Sequence, residues 1–70
     1  MKLILDRQEL RTRRLLAGLT QRQLADSTGV HPITMVKWET GARGIRPDNV
    51  ARLADVLGCA VSDIAHVEGS

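Results

Sequence analysis

The stretch that decides the fold of this chain is QRQLADSTGVHPITMVKWETG, residues 21–41. Its first half opens with a helix-start pattern, because Thr20 is followed three residues later by Gln23, the spacing of a capping box. Gly29 can adopt the left-handed backbone conformation that ends many helices. The first half therefore predicts a helix from residue 21 to about residue 28.

The second half of the stretch predicts another short helix directly after the first. Pro32 suits the first turn of a helix, where its missing N–H is not needed, and Gly41 closes the segment. Val30 and one or two neighbours are all that separate the two helices. So short a link forces a sharp corner between them.

At about 100° per residue, the side chains of the second helix divide between two faces. Met35 and Trp38 fall on one face, and we expect them to pack against Leu24 and Val30 and so to hold the two helices together. The opposite face carries Ile33, Val36, Lys37 and Thr40. The first face is predicted to be core, and the second is predicted to be a surface that a partner can contact.

The residues before this stretch predict a helix of their own. Asp6 and Glu9 repeat the capping-box spacing, and the helix is expected to cover about residues 7–17 and to end at Gly18. Residues 3–5 either form a short extended arm or, as we favour, lead into this helix and pack on the core.

Two further helices are predicted after a basic loop at residues 42–46. Pro47 suits a first helical position, and an apolar stripe at helical spacing follows it as far as Gly58. A short fifth helix is expected with Ser62 as its N-cap. Its apolar residues are Ile64, Ala65 and Val67. No segment shows the sustained alternation of a strand, so residues 1–70 are predicted to form one all-α domain, a compact bundle of five short helices.

The composition limits what a domain of this size can do. The chain has 70 residues and one aromatic side chain, Trp38, so a small core must be built from aliphatic residues. Ser62, Asp63 and His66 share one short helix without the arrangement of a nucleophile, a base and an orienting group. The two histidines and Cys59 lack metal-ligand spacing. We therefore expect no enzymatic activity, no metal, no cofactor and no small-molecule ligand.

Charge is distributed unevenly along the chain. Residues 1–46 hold nine basic residues against four acidic ones (net +5), whereas residues 47–70 hold one against four (net −3). A basic part of this kind suits a domain that presents one side to a polyanion, and an ordinary solvated surface is the alternative. Because the sequence shows neither a secretory signal nor a membrane segment and has one cysteine, a cytoplasmic location is expected.

The landmarks from about Leu10 to Ile64 resemble the phage-repressor and Cro-like (XRE-type) helix-turn-helix family. They include the G-L-T-Q opening, the L-A pair of the first helix, the G-V corner and the W-E-x-G ending, followed by an L-G-x-x-V-S-x-[DE]-[IL] pattern over residues 57–64. The intervals between them match without insertion or deletion. The resemblance implies a lambda-repressor-like fold with the helix-turn-helix at about residues 21–40. It further implies a transcriptional regulator, a repressor, that binds double-stranded DNA sequence-specifically.

The resemblance also implies which residues meet the DNA, because the family places the second helix of the motif in the major groove. Base contacts are expected from Gln21, Pro32, Ile33, Val36 and Lys37. Lys37 would donate to guanine, and the apolar side chains would contact thymine methyl groups. Phosphate contacts are expected from Gln21, Arg22, Thr34, Thr40, Arg43 and Arg46. Since the family usually carries Ser, Gln, Lys or Arg where this chain has residues 31–33, hydrogen-bonded recognition is expected to be sparse.

Two further expectations follow from the family. Arg14 and Glu39 stand where its members often have a partly buried ion pair, with two solvated charges as the alternative. A homodimer is expected on a palindromic operator with half-sites about one helical turn apart, because a single domain makes few contacts. Its surface would be the fifth helix and the tail, with Val61, Ile64 and Val67 as contacts, unless these residues complete the monomer core.

One rival function remains open. Ile33 and Val36 are apolar residues on an outward face, which also suits a protein-interaction module or an antitoxin with this fold.

Overall fold

The computed structural model describes residues 2–41 and 45–69. Its elements are strand β1 (Lys2–Leu5), helices α1 (Arg7–Leu16), α2 (Gln21–Thr28), α3 (Pro32–Thr40), α4 (Pro47–Leu57) and α5 (Val61–Ile64), and strand β2 (Ala65–Glu68). The predicted bundle of five short helices is confirmed, and a small sheet is added to it. In the part of the chain described, no helix is long and apolar enough to cross a bilayer.

Side-chain caps fix where the first three helices begin. At α1, the carboxylate of Asp6 accepts from the amide of Glu9 at 3.1 Å. At α2, Thr20 and Gln23 form both hydrogen bonds of the predicted capping box, at 2.8 and 3.0 Å. The N-cap of α3 is His31, which the sequence did not lead us to expect. Each cap satisfies amides that a helix end would otherwise leave without a partner.

The corner between α2 and α3 depends on Gly29. This residue has a φ of 79°, a left-handed conformation that side chains with a Cβ rarely adopt. The amide of Val30 then donates to the carbonyl of Ala25 at 3.0 Å, which closes the end of α2. Only residues 29–31 separate the two helices, so the direction of α3 follows from this one turn.

The core is aliphatic apart from Trp38 and collects side chains from every helix. The largest fully buried residues are Leu10, Leu24, Met35, Val50, Leu53 and Ile64. Burying each such side chain contributes about 1.5–3 kcal/mol relative to exposure. Thr28 is also buried, and its hydroxyl donates to the carbonyl of Leu24 at 2.7 Å. That bond lets a polar residue lie in the apolar interior without an unsatisfied group.

The two ends of the chain form a sheet that the sequence did not predict. β1 and β2 pair antiparallel, with Leu3 opposite Val67 and Leu5 opposite Ala65. Residues 3–5 therefore form the extended alternative and not a plain lead-in to α1, although Leu5 and Leu3 pack on the core as expected. Four residues are too few to show the alternation that identifies a strand, and the partner strand lies at the other end of the chain.

The fifth helix is shorter than predicted and begins earlier. Its N-cap is Ala60 instead of Ser62, and the carboxylate of Asp63 accepts from the amide of Ala60 at 2.9 Å. Ala65 has an extended backbone, with φ −149° and ψ 157°, so the chain leaves the helix after Ile64 and enters β2. Residues 65 and 67 thus belong to the strand, because pairing with β1 satisfies their backbone in place of a further helical turn.

Candidate nucleic-acid interface

Helix α3 has one buried and one exposed face, as its periodicity predicts. Met35 is fully buried and Trp38 is 6% exposed, whereas Ile33 is 57% exposed and Val36 is 39% exposed. Lys37 is exposed beside them. Because the buried side chains fix the rotation of α3 about its axis, they also determine which residues face outward.

An ion pair joins α1 to the last turn of α3. Arg14 donates from Nε to Oε2 of Glu39 at 2.7 Å and from Nη2 to Oε1 at 3.0 Å. Its Nη1 donates to the carbonyl of Leu19 at 2.9 Å. The side chains of the pair are 10% and 3% exposed. The structure thus brings together the two residues that the resemblance paired, in the bidentate geometry that fixes orientation best.

A second arginine holds the carboxyl end of α3. Nη1 of Arg7 donates to the carbonyl of Thr40 at 3.0 Å, at the helix end where a cation complements the dipole. Gly41 follows with a φ of 134°, and a Cβ at this position would lie 2.8 Å from that nitrogen. This contact could not be predicted, since nothing in a basic residue on α1 identifies a carbonyl 33 positions away.

At the amino end of α3, the first backbone amides of the helix donate hydrogen bonds to His31. The amide of Ile33 donates to Nδ1 of His31 at 3.1 Å, and the amides of Thr34 and Met35 donate to the carbonyl of His31 at 2.9 and 3.3 Å. Pro32 has no N–H. Since Nδ1 accepts, the hydrogen of the neutral ring is on Nε2. His31 is exposed, and it is a candidate contact residue that the sequence reasoning missed.

The amino end of α2 is built differently. Its capping box takes the amides of Thr20 and Gln23. The amides of Gln21 and Arg22 occupy the first two helical positions, at the positive end of the helix dipole. The side chain of Gln21 is half-buried and that of Arg22 is exposed. This end of α2 has the chemistry of an anion site, as the expected phosphate contacts require.

The remaining residues expected to contact phosphate differ in their exposure and hydrogen bonding. Arg46 is exposed at the N-cap of α4, and Thr34 is half-buried on α3. The hydroxyl of Thr40 donates to the carbonyl of Val36 at 2.7 Å, so its hydrogen is already used within the helix. Arg43 lies outside the described residues.

The residues expected at a dimer surface divide between core and surface. Ile64 is fully buried within the monomer, so the expectation that it contacts a second copy is wrong. Val61 is 40% exposed and Val67 is 62% exposed. With Lys2, Leu3 and Pro47 these two valines line an open groove of about 460 Å³. The groove includes Leu3 because β1 pairs with β2. The sequence did not predict this pairing, and so it did not predict Leu3 as part of the groove.

Cys59 is half-buried and has no other cysteine to pair with. Burial raises the pKa of its thiol, and the nearby carboxylates of Asp63 and Glu9 raise the pKa further while Arg13 opposes them. A raised pKa keeps the thiol protonated, and the protonated form is neither a nucleophile nor a metal ligand. Among the residues described, no three His, Cys, Asp or Glu side chains are grouped to hold a metal ion.

The landmarks and the geometry agree with a known family. A family of helix-turn-helix domains matches residues 7–67, from the start of α1 into β2. This chain belongs to that helix-turn-helix family. The resemblance inferred from the sequence is thereby confirmed. The sharp corner at Gly29 is the turn of the helix-turn-helix, and α3 is its second helix.

Solved structures of regulators share the fold of this helix-turn-helix domain. The restriction-modification controller protein C.AhdI from Aeromonas hydrophila is 30% identical with a TM-score of 0.76, over 81% of this chain and 86% of that protein. The clp gene regulator ClgR from Corynebacterium glutamicum is also 30% identical, with a TM-score of 0.76. The match covers 81% of this chain and 61% of ClgR. The hypothetical transcription factor NHTF from Neisseria, 24% identical with a TM-score of 0.74, shares the fold. No similar sequence was found among curated proteins.

The matched family is one of helix-turn-helix domains, and the two neighbours at 30% identity are a controller protein and a gene regulator. Together they support a DNA-binding regulator as the general function of the helix-turn-helix domain.

Proposed function

We propose that this domain is a cytoplasmic transcriptional repressor that binds a specific double-stranded DNA operator with α3 in the major groove. The observation that carries the proposal is an α3 that is anchored in the core on one face while the opposite face exposes Ile33, Val36 and Lys37 among the described residues. Its inner face is fixed by Met35 and Trp38, and its last turn is fixed by Glu39. A helix of about 10–12 Å diameter matches a major groove about 12 Å wide.

Base contacts are assigned to the outward side of α3 and to the start of α2. The ammonium of Lys37 donates to O6 or N7 of a guanine, the commonest specific contact in this groove. Gln21 contacts a base edge or a phosphate beside it. The exposure of Lys37 and Ile33 and the half-exposure of Gln21 support this assignment.

Phosphate contacts position the domain on the duplex. Arg22 and the first amides of α2 bind one phosphate, and Arg46, at the start of α4, binds another, with Arg43 and Thr34 as further candidates. These contacts carry no sequence information and give binding its dependence on salt. The net charge of +5 over residues 1–46 supports them.

A homodimer on a palindromic operator completes the proposal. Two copies place their α3 helices in successive major grooves, about 34 Å apart. The apolar groove that contains Val61 and Val67 supports a contact between copies through this side of the protein. Repression then requires only that the operator be occupied.

Selection of bound sequences from random duplexes, followed by salt titration of the preferred one, tests the proposal. We expect one preferred palindromic sequence and a logarithmic loss of affinity with salt. If no duplex binds better than random DNA, sequence-specific regulation is wrong. The exposed Ile33 and Val36 would then favour the alternative function, a protein-interaction module or an antitoxin.

A further inference from the structure

The carboxyl end of α1 carries an apolar surface that the core leaves uncovered. Leu15 is 58% exposed, and Leu16, at 82%, is the most exposed of the large apolar side chains among the described residues. Ala17 is exposed beside them, and Leu16 and Ala17 line an open cavity of about 190 Å³ with the half-buried Leu57 at the end of α4. We call these four residues the leucine patch. Scattered exposed leucines are ordinary, whereas a continuous patch indicates a surface that another molecule covers.

Two arginines precede the leucine patch on the exposed side of α1. Arg7, Arg11 and Leu15 follow one another at intervals of four residues, so they lie in one line about 12 Å long. Both arginines are exposed, and among the residues described neither is ion-paired with a carboxylate. Arg7 donates to the carbonyl of Thr40, a neutral partner that leaves its charge in place. The line therefore presents two positive charges at one end and an apolar surface at the other.

The opposite border of the leucine patch is neutralised within the protein. Arg13 lines the cavity beside Leu16. Its Nε donates to Oε1 of Glu9 at 3.0 Å, and its Nη2 lies 3.9 Å from a carboxylate oxygen of Asp63. Because Arg13 already has carboxylate partners, the positive charge open to another molecule is that of the two exposed arginines.

A second copy of this chain fits the leucine patch poorly. A stable contact between two folded proteins uses about 20–30 residues a side, far more than the patch provides. A two-fold contact would also bring the arginines of two α1 helices into one interface, where their like charges repel. A short segment needs only a few apolar anchors at helical spacing.

We propose that this side of α1 is a docking site for a short acidic amphipathic segment of a partner protein. The apolar residues of the segment cover the leucine patch. Its carboxylates face Arg11 and Arg7, one and two turns before Leu15, and form charge-assisted hydrogen bonds with them. The occupant is thus identified by its chemistry, since it must offer apolar groups and negative charge about 12 Å apart or less.

The leucine patch and the proposed DNA contacts occupy different parts of the domain. Leu57 ends α4, whereas Arg46 is the N-cap of the same helix, about 16 Å away. A segment bound on the patch leaves the proposed phosphate contact at Arg46 open. The docking site therefore does not rest on the proposed function.

Peptide selection tests the proposal. A phage-displayed library of random peptides is selected on the wild-type protein after removal of the phage that bind Leu16→Ser. This variant keeps every cation, so the removal step discards peptides that bind the basic surface alone. We expect the enriched peptides to combine acidic residues with leucine, isoleucine or phenylalanine at helical spacing. Enriched peptides without an excess of acidic residues, or no enrichment over the unselected library, overturn the proposal.

Fluorescence anisotropy of the most enriched peptide measures what single side chains contribute. Leu15→Ser, which takes no part in the selection, should weaken binding about tenfold, the lower value for burying one leucine side chain. Arg11→Ala should weaken it about threefold and reduce its dependence on salt, as for an exposed ion pair. Arg52→Ala and Val67→Ser alter an exposed arginine on α4 and an exposed valine on β2, and these controls should change nothing. Unchanged affinity in Leu15→Ser and Arg11→Ala overturns the proposal.

Amide chemical shifts locate the bound peptide. We expect changes at residues 15–18 and 57–59 and none on the outward face of α3. Changes confined to α3 overturn the proposal, and so does self-association of the wild-type protein that is lost in Leu15→Ser, which would make a second copy the occupant. These measurements contain no DNA, so their failure leaves the proposed function intact. Failure to prefer any duplex, in turn, leaves the docking site intact.

Discussion

Arg14 donates two hydrogen bonds to Glu39, at 2.7 and 3.0 Å, and so links α1 to the last turn of α3 within the interior. Removing Arg14 leaves an unpaired carboxylate that is 3% exposed. We expect Arg14→Ala to lower the free energy of unfolding by about 3–5 kcal/mol, as for other broken buried pairs. Urea denaturation measures this change in the free energy of unfolding.

The matched control for this pair is Arg11→Ala, an exposed arginine on the same helix, which should change stability little. Replacing both partners, with Arg14→Met and Glu39→Met, should cost less than Arg14→Ala because no charge is left buried. An unchanged stability in Arg14→Ala would show that the pair contributes nothing.

Gly41 and Arg7 are coupled at the carboxyl end of α3. We expect Gly41→Ala to destabilise the domain by about 1–3 kcal/mol, because the φ of 134° is unfavourable for alanine. The new Cβ would also displace the Arg7 guanidinium, which lies 2.8 Å away. Arg7→Ala alone should cost about 1 kcal/mol, the value of one hydrogen bond.

A double-mutant cycle measures this coupling by urea denaturation. Arg7→Ala should cost less in the Gly41→Ala background, since the bond to the carbonyl of Thr40 is already disturbed there. Strictly additive effects would contradict a contact between the two residues.

Lys37 and Arg46 should affect DNA binding in different ways. Lys37→Ala should relax specificity at one base pair by about 1–3 kcal/mol, whereas Arg46→Ala should weaken all sequences alike and reduce the salt slope by about one. Anisotropy titrations of the preferred duplex and its single-base variants, at several salt concentrations, separate the two. Arg52→Ala, an exposed arginine on the acidic half of the chain, is the control and should change neither. Loss of specificity in Arg46→Ala would contradict a phosphate contact.

The apolar groove beside β2 should carry the contact between copies. Val67→Lys places a charge at a side chain that is 62% exposed, so the monomer should fold while dimer formation on DNA is lost. Sedimentation velocity with labelled operator measures the stoichiometry. Leu16→Lys, an equally drastic change on α1, should leave the dimer intact. A wild-type protein that binds its operator as a monomer would contradict the proposal.

Cys59 should make stability depend on alkaline pH. Because burial raises the pKa of its thiol in the folded protein, the folded state binds the proton more tightly than the unfolded state. The resulting stability is fully present below the ordinary thiol pKa and is lost as pH rises through the raised pKa of the folded state. Thermal melts across the alkaline range should show this loss of stability. The Cys59→Ala variant should lack the part of the loss that comes from ionisation of the thiol. Identical profiles of stability against pH for the wild-type protein and Cys59→Ala would contradict this prediction.

Local signals explain why so much of the helix-turn-helix was predictable. Thr20 with Gln23 fixes the start of α2, Gly29 fixes the corner and Pro32 fixes the start of α3. Each acts on backbone groups within about four residues, so its effect can be inferred from the sequence nearby. The inner face of α3 followed from helical periodicity for the same reason.

The sequence by itself therefore determined the first four helices, the corner and the face that α3 turns outward. Only the tertiary structure decided the pairing of β1 with β2, the burial of Ile64 and the contact from Arg7 to Thr40. Each of these joins segments far apart in the chain, or depends on which side of a short element is covered by another. Such contacts form only when packing of the whole core brings the segments together, and no pattern of neighbouring residues specifies them.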